Sequence, residues 1–90
     1  MTGKKYKIIY EPKAKKTFNK LDSAIQTQIN KKLEKIAINP HIPANRLRGK
    51  LRGTYKLKLR DSGFRAIYRV LDDVLIVTIL KIGKRDDIYD

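Results

Sequence analysis

Residues 54–70 read TYKLKLRDSGFRAIYRV. In the first half an apolar residue alternates with a cation: Tyr55, Leu57 and Leu59 against Lys56, Lys58 and Arg60. Alternate residues of a β-strand share a face, so the spacing predicts a half-buried strand presenting three cations side by side. Asp61-Ser62-Gly63 is turn chemistry, and Phe64–Leu71 reads as the next strand. If Phe64, Ala66, Tyr68 and Val70 join Tyr55, Leu57 and Leu59 in a core, Arg65 and Arg69 fall on the outer face beside the three cations. That sharing needs an even-numbered loop or a bulge, because a register slip of one residue sends every side chain to the opposite face. Asp-Ser-Gly alone suggests a three-residue turn, so the register stays open here. Ile67 falls among the charges, where long lysine and arginine stems suit it as cover.

Working outward, Asp72-Asp73 makes the next turn, and Val74–Ile82 (VLIVTILKI) is nearly continuous apolar, as in a central strand buried on both faces. Upstream, Tyr6–Tyr10 is a short β-prone run closed by Glu11-Pro12, and Pro12 suits the first turn of a helix. Ala14, Phe18 and Leu21 then recur at helical spacing with lysines mostly off their stripe. Asp22-Ser23 offers a fresh N-cap, and Ile25, Ile29, Leu33 and Ile36 mark a second amphipathic helix stopped by Asn39-Pro40. His41–Gly53 is an irregular basic linker. The predicted order is βααβββ. It makes an α+β fold, one small domain over residues 1–90, with an antiparallel sheet and a helical hairpin on one face. The other sheet face is left to be wet and charged.

The 90 residues carry 22 Lys and Arg against nine Asp and Glu, a formal charge of +13. A field of that size favours a polyanionic partner such as nucleic acid, an anionic membrane or an acidic protein, although a basic surface also serves solubility. The two cations are unevenly placed: all seven arginines lie after residue 45, whereas the first 39 residues hold ten lysines and no arginine. Lysine is a hydrated point charge and arginine a planar fork matched to phosphate, so specific contact is expected from the second half. No apolar run is long enough to span a bilayer or form a signal-peptide core, and a cytoplasmic location is the default expectation. With no cysteine, neither a disulfide nor a thiolate metal site is available.

Conventional catalytic sets are scarce. The one histidine, His41, follows Pro40 in the linker and reads as a plain surface residue. The carboxylates fall mainly at caps and turns (Asp22, Asp61, Asp72, Asp73) or in the tail (Asp86, Asp87, Asp90), with no spacing that resembles a metal cage. Neither a metal nor another cofactor is expected. What remains is cation chemistry. Neighbouring cations disfavour protonation of a lysine, which tunes it toward taking a proton from a ribose 2′-hydroxyl, while a charged lysine protonates a leaving oxygen. Arginines stabilise the extra negative charge of a phosphorane-like transition state. The tail adds Lys84, Arg85 and Tyr89. On the residues alone, RNA binding is the firmer expectation and catalysis the weaker.

The stretch NRLRGKLRGTYKLKLRDSGFRAIYRV (45–70), followed by ILKIGKRDDIY (79–89), resembles the RelE family of bacterial and archaeal toxins within the RelE/ParE superfamily. The matching pieces are Leu47-Arg48-Gly49, the Tyr-Lys-x-Lys-Leu-Arg strand, Gly63-Phe64-Arg65, the Tyr68 strand and the Gly-Lys-Arg…Tyr tail. The resemblance implies a ribosome-dependent endoribonuclease (mRNA interferase) of a type II toxin–antitoxin system. Such an enzyme cuts mRNA in the ribosomal A site by metal-independent 2′-hydroxyl attack, inhibiting translation. It implies a RelB-like antitoxin partner, contact with rRNA, and operator DNA reached only through the antitoxin complex. Carried over by position, Lys56 and Lys58 handle proton transfer and charge, Arg65 and Arg85 contact the scissile phosphate, and Tyr89 stacks or assists proton transfer. Arg46, Arg48, Lys50, Arg52, Arg60, Arg69 and Lys84 are candidate RNA or ribosome contacts. Alternatives from other classes are a ParE-like DNA gyrase inhibitor without nuclease activity and a noncatalytic RNA- or ribosome-binding module.

Overall fold

Chain order is β1 (Lys7–Tyr10), α1 (Pro12–Lys20), α2 (Ser23–Ile38), β2 (Thr54–Lys58), β3 (Phe64–Leu71) and β4 (Ile76–Lys84). These elements come from a computed structural model that describes residues 5–59 and 62–84. Pro12 opens α1, where a missing N–H costs nothing, and the Lys15 N–H donates to the Glu11 carbonyl to start the helix. The Leu21 N–H and the Gln26 side-chain amide both donate to the Phe18 carbonyl, so α1 ends tightly against the start of α2. Asp22 occupies the N-cap of α2 as expected, although its carboxylate makes no capping bond. Asn39 closes α2 through its N–H to the Lys35 carbonyl, just before Pro40.

The helices cover one sheet face. Ala14 from α1 and Ile29, Leu33 and Ile36 from α2 pack into a cluster with Tyr55, Leu57, Leu59, Ala66, Tyr68, Val77, Ile79 and Ile82. Full burial of one Ile or Leu contributes roughly 1.5–3 kcal/mol, so these two stripes account for the attachment of the hairpin. Strand order is β1-β4-β3-β2. The expected antiparallel sheet forms across β2, β3 and β4, and β1 adds to the free edge of β4 in parallel, which makes the whole sheet mixed. Lys7 and Glu11 secure that edge by donating to the Leu75 and Ile79 carbonyls.

The last strand starts and ends two residues later than Val74–Ile82. Leu75 adopts φ 55, its N–H returns to the Asp72 carbonyl, and Val74 is 60% exposed, so Val74 and Leu75 belong to the β3–β4 turn despite their apolar character. The linker is braced rather than loose. Short 3-10 turns form at Pro43–Asn45 and Gly49–Leu51, and Arg46 bridges to Tyr55 on the outer edge of β2.

Candidate functional site

The β2–β3 register decides which cations meet. Thr54 pairs with Arg69, Tyr55 with Tyr68, Lys56 with Ile67, Leu57 with Ala66 and Lys58 with Arg65. Pairing continues past β2: the Leu59 N–H donates to the Phe64 carbonyl at 2.9 Å and the Gly63 N–H to the Leu59 carbonyl at 3.1 Å. Positions 60–63 therefore separate the last paired residues. This four-position loop supplies the even number that a shared face requires. Gly63 adopts φ 75, a left-handed conformation that glycine takes without strain. Tyr55, Leu57 and Leu59 point under the helices, and Lys56, Lys58, Arg65, Ile67 and Arg69 occupy the face that carries no helix.

The pairing across β3 and β4 adds a cation that strict alternation hides. Ile67 pairs with Lys81 and Arg65 with Gly83, whereas Tyr68 pairs with Ile79, which leaves Leu80 as an extra residue in β4. Val77 and Ile79 face the core; after the extra residue it is Ile82 that faces the core, so Lys81 and Gly83 emerge on the helix-free face. Two rows result. One runs Lys58–Arg65–Gly83 and the other Lys56–Ile67–Lys81. Ile67 is only 2% exposed, yet it stands outside the cluster beneath the helices. It forms an apolar floor between two lysines. Lys58 and Arg65 stand directly opposed in register, two cations side by side on one face.

The other predicted contacts distribute unevenly. Arg69 shares the helix-free face, but it stands four residues along β3 from Arg65, roughly 13 Å of strand, between Thr54 and Thr78. Lys84 pairs with Phe64 on the opposite parity, its ammonium 5.9 Å from the Phe64 ring centroid, and so is not brought together with Lys56 and Lys58. Arg46 lies over the Tyr55 ring at 6.0 Å, on the helix side of the β2 edge. Arg48, Lys50 and Arg52 are exposed along the linker. Arg46 and Arg52 line a cavity of about 350 Å³ with His41, Gly53, Tyr55 and Val70. Arg60, Arg85 and Tyr89 lie outside the described residues.

His41 is more than a surface residue. Its Nε2 donates to Asp72 Oδ1 at 2.7 Å and its Nδ1 meets the Tyr55 hydroxyl at 2.9 Å, while the Tyr6 hydroxyl donates to the same Asp72 oxygen at 2.6 Å. The Tyr6 hydroxyl first and the His41 ring second hold the Asp72 carboxyl below its ordinary value. Hydrogen bonding to Asp72, together with desolvation, raises the Tyr6 phenol. Tyr55 stacks on Tyr68 at 5.3 Å and 11°, and the buried Tyr68 hydroxyl donates to the Pro40 carbonyl at 2.9 Å. Burial, with Tyr55 beside it, pushes Tyr68 up to about 12. This network clamps the head of the linker to the β3–β4 turn. No local signal announces it, since its members are 66 residues apart in the chain at the widest.

Among the described residues, no group of His, Asp or Glu is arranged to hold a metal ion, and no helix is long and apolar enough to cross a membrane. The helix-free face offers lysine and arginine groups in register, a donor set suited to binding and stabilising phosphate. The family described as the ParE toxin of type II toxin–antitoxin systems, parDE, matches residues 8–89. A RelE-like toxin protein of Escherichia coli is 47% identical over 88 residues, covering 96% of this chain and 92% of that one. The mRNA interferase toxin RelE of Escherichia coli K12 is 40% identical over 81 residues, covering 90% and 84% respectively. This chain belongs to the RelE family of toxins. The fold agrees. The crystal structure of the intact Escherichia coli RelBE toxin–antitoxin complex superposes with a TM-score of 0.83 at 39% identity, covering 88% of this chain and 95% of that one.

Proposed function

We propose that the chain is the toxin of a type II toxin–antitoxin system, a single domain over residues 1–90 that cuts mRNA in the ribosomal A site without a metal. The observation that carries this reading is the β2–β3 register, which sets Lys56, Lys58 and Arg65 together on a helix-free face. A lysine of the Lys56–Lys58 pair takes the proton of a ribose 2′-hydroxyl. The 2′-oxygen attacks the adjacent phosphorus, the P–O5′ bond breaks, and the other lysine or Tyr89 protonates the departing O5′. The products are a 2′,3′-cyclic phosphate and a 5′-hydroxyl. Arg65 and Arg85 neutralise the charge that develops on the phosphorane oxygens, a stabilisation of a kind typically worth a factor of about 10²–10³ per group.

The named mRNA interferase among the relatives supports the nuclease activity, and the RelBE complex supports a RelB-like antitoxin as partner. The ribosome supplies the message in position, and operator DNA is reached through the antitoxin complex. A ParE-like reading draws on the family description that matches residues 8–89. It leaves the phosphate-suited cation rows without a use. Translation with purified ribosomes and a defined mRNA, with cuts mapped by primer extension, separates the two. The expected result is cleavage in A-site codons, abolished in Arg85→Ala while antitoxin binding persists. An uncut message, together with inhibited gyrase supercoiling, establishes the alternative.

A further inference from the structure

We propose that Lys81 is an additional substrate-binding residue: it holds a backbone phosphate of the RNA next to the scissile one, across the Ile67 floor from Lys56. The inference rests on the nuclease reading and extends its site. Its basis is the extra residue in β4. With strict alternation Lys81 shares parity with Val77 and Ile79 and points under the helices. The shift of register between Ile67 and Tyr68 instead pairs it with Ile67 on the helix-free face. Lys81 is exposed, as a ligand-contacting ammonium needs to be.

The spacing fits a neighbouring phosphate rather than the scissile one. The Lys58–Arg65–Gly83 row and the Lys56–Ile67–Lys81 row are two residues apart, roughly 7 Å along the strands, a step that one nucleotide of an extended single strand bridges. Lys56 and Lys81 flank Ile67 from adjacent strands, roughly 10 Å apart at their backbones. Their flexible stems are long enough to reach over the buried Ile67. Gly83, paired with Arg65, contributes no side chain of its own to the first row. The cations around Ile67 thus follow a strand of RNA over two phosphates.

The test compares the full-length parent with Lys81→Gln, Lys81→Arg and, as a charge-matched control, Lys7→Gln. Lys7 is exposed on β1 and belongs to neither row. Single-turnover cutting is measured against the concentration of programmed ribosomes, and binding to a single-stranded RNA oligonucleotide is measured against salt. For Lys81→Gln, the half-saturating concentration is expected to rise about tenfold, with the saturating rate held within about threefold. The log–log salt slope is expected to fall by about 0.7, the signature of one lost single-strand phosphate contact. Lys81→Arg restores most of both, and Lys7→Gln changes neither. A parent-like Lys81→Gln, an equal effect of Lys7→Gln, or a loss confined to the saturating rate overturns the proposal. A parent protein that never cuts overturns the nuclease reading instead, and the salt slope then still decides for or against the phosphate contact at Lys81.

Discussion

His41 and Asp72 show what a single position conceals. In the sequence they are a lone linker histidine and a turn aspartate; in the fold they complete a chain of hydrogen bonds from Tyr6 through Asp72 and His41 to Tyr55. The chain makes a prediction with a definite sign. Asp72 is held below the ordinary carboxyl value of 3.8, so its contribution is present above that value and is lost as pH falls through its lowered folded value. Asp72→Asn is therefore expected to lower the thermal unfolding midpoint at neutral pH, and the gap to the parent should close as pH falls below about 4. Unfolding curves recorded between about pH 7 and pH 2 check this. A gap that stays constant over that range contradicts the role given to the carboxylate. The shared face of Lys56 and Lys58 was legible because period-two alternation names it directly, and Arg65 joins it only through the loop length, whereas a contact between residues 41 and 72 leaves no periodic trace.

At the level of elements, the β2–β3 hairpin was readable except at its loop. The alternation in Thr54–Leu71 identified both faces, and the bounds of β3 at Phe64–Leu71 match the structure. The loop length decided whether the two sets of cations met, and Asp-Ser-Gly pointed to three residues where the pairing of Leu59 with Phe64 encloses four positions. Gly63 makes that loop feasible. A Cβ added there meets nothing within 4 Å, so a substitution is limited by backbone strain alone at φ 75. Gly63→Ala is expected to cost about 1 kcal/mol in denaturant unfolding, with Gly63→Asn recovering part of it, because asparagine tolerates the left-handed region. Equal stabilities for the parent and the alanine variant contradict that conformation. In β4 the parity rule failed for a different reason: Leu80 is an extra residue in the register within a nearly continuous apolar run, and such a run carries too little alternation to reveal a bulge. The place of Lys81 on the helix-free face was missed on that account.

Across the molecule, the segregation of lysine and arginine follows the architecture only in part. The arginine-free first 39 residues build β1 and the helical layer, and the arginine-bearing second half builds the linker and the sheet face where the cations gather. Arg46 and Lys84 belong to that half yet stand away from the two rows, because composition names a region and only register names a face. The βααβββ order and the single helical layer were legible from hydrophobic periodicity. The parallel seat of β1 beside β4 was not, since a four-residue strand carries no sign of its partner. On the proposed mechanism, the cation rows promote attack by a ribose 2′-oxygen on the neighbouring phosphate. The most direct measurement places one 2′-deoxynucleotide at the mapped cleavage position of a ribosome-bound message and compares its cutting with that of the all-ribose message. Cutting at that position is expected to disappear while neighbouring ribose positions stay susceptible; cutting at the deoxynucleotide with undiminished rate rules out the 2′-oxygen as nucleophile.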